Sequence, residues 1–370
     1  MKIATFVNSL YRLPLSPNVV DAPISVATAI GDGLVARGHE VTFYALESPD
    51  SKFSVVSGAL NQPLHKNQML NSSGADSMLE RDSLYQSFDL YLLSLLYQDA
   101  RAGKYDVIHL HRFPHALPFA ELCDVPTVYT VHDPMLEWKA WLLSLYSPKN
   151  RHFVSVSDAQ RPEMLKDSFE RTIYNGISLD TFSFSDANVN GYLFAGRLTD
   201  EKGVAEAAEA TNIAGLSLRI IGKLHDGHRK YWQERVAPQL NDRVKAVEPL
   251  EGVSQEVLAD AYRESRALLL PLQWEEPFGL VMIEAMACGT PVIAFNRGSV
   301  SEIIEDGVTG YIVDPAEGVE GFAAAMERME RLSESDYRAM RVAARKRVEA
   351  HFSTEKMVDA YESLFKSLVK

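Results

Sequence analysis

An apolar strand, a tight turn, a helix and a second strand follow one another without a break between residues 267 and 295, and no other stretch limits the fold so strongly. Ala267-Leu-Leu-Leu-Pro271 has the length and composition of a buried strand. Glu276-Pro277-Phe278-Gly279 turns the chain, residues 280–287 read as a helix with no breaker, Gly289 closes it, and 291–295 is apolar again. Such a unit presents a helix N-terminus at the carboxyl edge of a parallel sheet. The free N–H groups there make an anion site, and Gly279 lets a ligand approach the backbone closely.

Two acids flank this turn, Glu276 and Glu284, eight residues apart. Even in a continuous helix that spacing amounts to roughly 12 Å. A retaining glycosidase needs about 5 Å between its carboxyl groups, so these two do not share one scissile bond. They suit the two ends of a long ligand whose phosphates rest on the helix between them. The plainer alternative is a buried crossover helix with one acid favouring its dipole.

The stretch Glu276-Pro-Phe-Gly-Leu-Val-Met-Ile-Glu284-Ala-Met-Ala-Cys-Gly-Thr-Pro-Val292, continued by Gly298, Glu302, Gly307 and Gly310, resembles the donor site of family-4 retaining glycosyltransferases. Gly196-Arg-Leu-Thr-Asp-Glu-Lys-Gly203 is similar to a second segment of that family, in which the Arg and the Lys grip a diphosphate. From its residues alone this segment is either two cations, Arg197 and Lys202, converging at a strand end, or a solvated basic loop neutralised by Asp200 and Glu201. The resemblance covers most of the chain and weakens near the N-terminus. It implies the GT-B fold, two Rossmann-like domains facing across a cleft, with the C-terminal helix returning to the first domain.

Composition agrees with two α/β domains. The chain has 370 residues and a net charge of −13, and both halves about Phe182 hold more acids than bases. Nucleic acid is therefore not an expected partner. Cys123 and Cys288 are the only cysteines, too few for a disulfide framework or a zinc site. With no signal peptide ahead of the strand at 3–7 and no apolar run of membrane-spanning length, the expectation is a soluble, cytoplasmic protein.

A β-α-β opening, strand 3–7, helix 24–37 and strand 41–45, gives a parallel sheet. Relatives carry a Gly-Gly pair before that helix, where this chain has Asp21-Ala22-Pro23. An acid beside a diphosphate is repulsive, so no phosphate role is assigned to this loop, and Asp21 is expected to cap the helix. Residues 48–76 are polar and aperiodic, an expected irregular connection. A helix over 80–102 leads to a strand at 106–110. His109 and His111 share one face of that strand, with His115 beyond it, but no nearby acid completes a metal site.

The next strand, 127–131, ends in His132, which matches a histidine that touches the transferred sugar in the family. Trp138, Trp141, Leu142 and Leu145 follow at helical spacing beside Lys139 and Lys149. That face suits a lipid surface or a core, and core packing is the expectation, so peripheral membrane contact is not favoured. Strands at 153–157 and 172–176 finish the first domain. The reading gives 1–182 to the first domain, a linker at 183–190, 190–352 to the second, and 353–370 to a helix that crosses back.

The resemblance implies transfer of a sugar from a nucleotide-diphosphate sugar to an acceptor hydroxyl. The acceptor, whether a sugar, a lipid-linked sugar or a small molecule, is not legible. Arg197, Lys202 and the helix N-terminus at Gly279, Leu280 and Val281 would carry the diphosphate, with Gly196 and Phe278 shaping the site. Glu276 and His132 would orient the sugar, Glu284 would bind ribose, and Lys223 and Leu250 would flank the base. No Asp-x-Asp occurs anywhere, so neither a metal nor a cofactor is expected. A sugar-nucleotide epimerase and a silent sugar-nucleotide-binding protein are the alternative readings.

Overall fold

The computed structural model describes residues 1–369 except 14, 16–20, 48–50, 59–77, 113, 147–148, 188, 248–249 and 251–252. The first sheet has seven strands: β1 Lys2–Phe6, β2 Glu40–Tyr44, β3 Ser54–Val56, β4 Val107–Leu110, β5 Thr127–Val131, β6 Arg151–Ser155 and β7 Phe169–Thr172. Their order is β3-β2-β1-β4-β5-β6-β7, every pair parallel. The second sheet has six: β8 Tyr192–Ala195, β9 Leu218–Ile221, β10 Val244–Ala246, β11 Ala267–Leu270, β12 Val292–Phe295 and β13 Gly310–Val313. Its order is β10-β9-β8-β11-β12-β13, again all parallel. In both sheets the order reverses beside the first strand, the switch point where α/β proteins bind ligands.

Parallel strands covered on both faces read as continuous apolar runs, which is why β11 and β12 fall where the sequence puts them. Two strands of the first domain fall elsewhere. Ser54–Val56 lies within the segment expected to be irregular, and its β-branched pair adds an edge strand beside β2. The last strand is Phe169–Thr172 rather than 172–176, with Ile173 N–H still reaching Ser155 O at 2.9 Å. Glu170, Arg171 and Thr172 are polar, so the search for an apolar run starts too late. Part of the connection, residues 59–77, lies outside the described residues.

The helix Thr354–Leu368 crosses back to the first domain. Val358, Tyr361, Leu364 and Phe365 pack with Ile3, Ile30 and Val41, and Arg37 and His39 both pair with Glu362. Ile177 joins the crossing point: its N–H bonds Phe352 O and its carbonyl accepts from Thr354 N–H, each at 3.0 Å.

The expectation of a buried tryptophan stripe does not hold. In the helix Glu137–Ser144 the buried residues are Ala140 and Leu143, while Trp138 is 53% and Trp141 65% exposed. Two neighbouring stripes of this two-turn helix both have core spacing, and only packing chooses between them.

Candidate active site

The carboxyl edge of the second sheet carries the residues expected to meet the diphosphate and its sugar. Gly279, at φ 79°, caps the helix Leu280–Ala287, and a side chain there would meet Met282 Cε at 2.6 Å. That left-handed turn costs glycine little and leaves the helix N–H groups open. Just before it, Glu276 is buried, accepts from Trp274 Nε1–H at 3.1 Å, and forms a short ion pair with Lys202. The Lys202 ammonium lies 4.5 Å from the centre of the Trp274 ring. The neighbouring Glu275 turns the other way, to Arg297 and the Gly298 N–H. Of two adjacent acids, therefore, only Glu276 enters the site.

Lys202 reaches Glu276 because the loop after β8 ends in a single 3₁₀ turn, Asp200–Lys202, closed by Gly203 at φ 76°. A Cβ on Gly203 would strike the Pro271 carbonyl, so the loop and the end of β11 pack backbone to backbone. Arg197 is half exposed and pairs with Glu201 at 2.6 Å. Lys223 lies at the end of β9, its carbonyl accepting from Leu198 N–H at 3.0 Å, and Leu250 O accepts from Leu224 N–H at 3.0 Å. His225 joins this group: burial, then the charges of Lys223, Arg197 and His228, hold its pKa down. It belongs to no motif, and its place among these cations is visible only in the folded chain.

Glu284 is buried one helical face further on, where Tyr262 from the helix Gln255–Arg263 donates to its Oε2 at 3.0 Å. Burial raises its pKa to about 7, and the tyrosine hydrogen bond opposes that rise without cancelling it. Tyr262 carries no sequence signal beyond that of an ordinary core residue.

The first domain meets this edge through Leu280, which packs against both the second-domain core and the core of the first. Glu302 ties the domains together: its carboxylate accepts from Asp158 N–H at 2.8 Å, Ala159 N–H at 2.7 Å and the Tyr174 hydroxyl at 3.0 Å. Opposite, at the end of β5, His132 Nε2 lies 2.9 Å from His111 Nδ1 with the two rings stacked. His109 bonds Thr130 at 2.9 Å, and Thr130 in turn bonds Tyr361 of the returning helix at 2.7 Å. Burial lowers all three imidazoles, His109 to about 3, His132 to about 4 and His111 well below the usual range, so the cluster is uncharged at neutral pH.

Asp21 is the helix cap the sequence led us to expect, its Oδ1 accepting from Ile24 N–H at 3.0 Å. Among the described residues no group of three or more His, Cys, Asp and Glu is placed to hold a metal ion. No described helix is long and apolar enough to cross a membrane.

Two facing Rossmann-like domains, with an anion-ready helix N-terminus and paired Lys and Glu at the junction, define the GT-B class. Residues 25–181 match the family model of Glycosyltransferase Family 4, and 182–347 that of Glycosyl transferases group 1. The chain belongs to the group 1 glycosyltransferases and is an enzyme of the transferase class. It is 25% identical over 386 residues to the N-acetyl-alpha-D-glucosaminyl L-malate synthase of Bacillus anthracis, 93% of each chain being covered. In fold it is similar to the sucrose-phosphate synthase of Thermosynechococcus elongatus, with a TM-score of 0.74 at 19% identity over 100% of this chain and 99% of that one. Anabaena HepE, solved with UDP and glucose, superposes with a TM-score of 0.70 at 18% identity, covering 99% and 100%.

Proposed function

We propose that the chain transfers a sugar from a nucleoside diphosphate sugar to an acceptor hydroxyl, with retention of configuration and without a metal ion. The observation that carries this reading is the Lys202–Glu276 pair held against Trp274 beside the Gly279 helix cap. In the free enzyme the two charges satisfy each other. A diphosphate sugar replaces both partners at once, its phosphate taking Lys202 and its sugar hydroxyls taking Glu276. An ammonium and a helix N-terminus aimed at the departing diphosphate stabilise the charge that develops there, usually the largest catalytic contribution. Arg197 adds a second cation, and Glu284 suits a ribose diol.

In the step itself the acceptor oxygen bonds to the anomeric carbon, the bond from that carbon to the phosphate oxygen breaks, and the hydroxyl proton leaves with the diphosphate. Inversion would instead need a general base opposite the leaving group. His132 is held neutral with a low pKa and is bonded to His111, and Asp21 is committed to its helix cap. The low pKa of His132 makes it a poor base, which supports retention. Lys202 and Arg197 supply the charge that a metal held by Asp-x-Asp would otherwise bring, so activity should survive exhaustive chelation. Two free, buried cysteines suit a cytoplasmic site of action.

The test is to incubate a panel of nucleoside diphosphate sugars with and without candidate acceptors, and to follow the first-formed product by proton NMR. An α-linked donor should give an α-linked conjugate. Epimer formation without conjugate, or a β linkage, would overturn the reading.

A further inference from the structure

On the first-domain side, beneath the end of β5, lies a cavity of about 260 Å³ lined in part by His111, Arg112, His115, His132, Trp138 and Lys139. We propose that it is the acceptor site and that it takes a neutral pyranose, stacked on Trp138 and hydrogen-bonded through His111 and His115. The inference rests on the transferase reading above and adds to it the class of acceptor.

Three observations lead there. First, two imidazole nitrogens at the cavity, His111 Nε2 and His115 Nδ1, are buried with no hydrogen-bond partner among the described residues. Buried polar atoms are nearly always paired, so orphans beside a cavity point to a ligand that completes them. Neutral imidazoles both donate and accept, which matches hydroxyl groups, themselves donors and acceptors. Second, Trp138 is 53% exposed at the rim although its neighbours Ala140 and Leu143 are buried. An exposed indole beside polar groups gives an apolar platform with a polar surround, the arrangement that suits a sugar ring.

Third, the cations at the cavity are already committed. Arg112 lies 3.1 Å from Asp89, itself 1% exposed and fixed by the Ser9 N–H at 2.9 Å. Lys139 lies 3.7 Å from Asp133 and donates to Pro134 O at 3.3 Å. A carboxylate or phosphate acceptor would have to displace these carboxylates, and the uncharged histidines offer it nothing in return. A neutral ring needs only the orphaned nitrogens and the indole. The volume, below the roughly 300–1,000 Å³ of pockets that enclose drug-sized ligands, suits one ring.

The experiment is saturation-transfer NMR on the full chain with ADP, CDP, GDP and UDP, then with methyl glucopyranosides, galactopyranosides and mannopyranosides, L-malate and inorganic phosphate. At least one nucleotide and one methyl glycoside should receive saturation. Trp138→Ala should abolish the glycoside signal, Trp138→Phe should keep most of it, and His115→Ala should weaken it at least fivefold, with nucleotide signals unchanged in all three. If a nucleotide binds but malate or phosphate replaces the glycosides, or glycoside binding survives Trp138→Ala, the acceptor inference alone falls. If no nucleotide binds, the transferase reading falls and takes this inference with it.

Discussion

The two walls of the cleft handle charge in opposite ways. On the second-domain wall, charged groups are gathered and satisfy each other: Lys202 with Glu276, Arg197 with Glu201, and Glu284 buried against Tyr262. On the first-domain wall the imidazoles around His132 are neutral, two of their nitrogens have no partner among the described residues, and the ions beside them, Arg112 with Asp89 and Lys139 with Asp133, lie at the edge of that cluster. A site built from paired ions exchanges partners with a charged ligand, while a neutral site completes its hydrogen bonds with an uncharged one. The contrast fits a diphosphate on one side and an acceptor that only has to be held and aimed on the other.

The largest expected effect tests the charged wall. Lys202→Ala should lower kcat about 10²–10³-fold, the usual cost of one electrostatic stabiliser, and the half-exposed Arg197 should act in the same direction when replaced. Full turnover at saturating donor in both variants would erase the distinction between the walls. His111→Ala, on the neutral wall, should leave nucleotide binding intact by calorimetry.

Next comes the join between the walls. Glu302→Ala removes two backbone N–H bonds to a carboxylate, each worth about 1.5–3 kcal/mol. Small-angle scattering should show a larger radius of gyration, and hydrogen exchange at Asp158 and Ala159 should quicken. Unchanged scattering and exchange would mean that apolar contacts such as Leu280 suffice to hold the domains together.

The buried carboxylate gives a pH signature. Glu284 has a folded-state pKa raised to about 7 by burial. Its contribution to stability is therefore complete below the ordinary carboxylate range and is lost as pH rises through about 7. Relative to Glu284→Gln, the wild-type Tm should fall between about pH 5 and pH 8. Nucleotide-sugar affinity should move the other way, rising through that window as the carboxylate ionises to accept ribose hydroxyls, and should be flat in the glutamine variant. Parallel pH profiles for the two proteins would remove Glu284 from the ribose site.

The smallest effect separates a cap from a ligand-binding acid. Asp21→Ala should cost about 1 kcal/mol in denaturant unfolding, while Asp21→Asn, which keeps the cap, should cost a few tenths at most. Loss of turnover in the asparagine variant with normal stability would give Asp21 a chemical role after all.

The second-domain wall was readable in the sequence because its parts are contiguous. Gly196 to Gly203 and Glu276 to Glu284 each lie on one loop-helix junction, so local rules for strand ends, glycine turns and helix N-termini outline them, while the roles expected of their residues came from the family resemblance. The helix at 280–287 and the returning helix at 354–368 have the limits that composition and capping give them. The chain alone also placed Asp21 as a cap, while His132 was singled out by the family resemblance. Only the tertiary structure paired Lys202 with Glu276, and set Trp274 beneath them, because those side chains come from different strand ends of one sheet. It alone set Tyr262 against Glu284, gathered His225 among the cations, and turned the tryptophans outward on a helix whose two faces have the same spacing. The first-domain wall assembles the end of β4, the loop at His115, the end of β5 and the helix Glu137–Ser144. Its orphaned nitrogens and the neutral state of its histidines arise from burial, and burial is a property of the packed chain that no local pattern encodes.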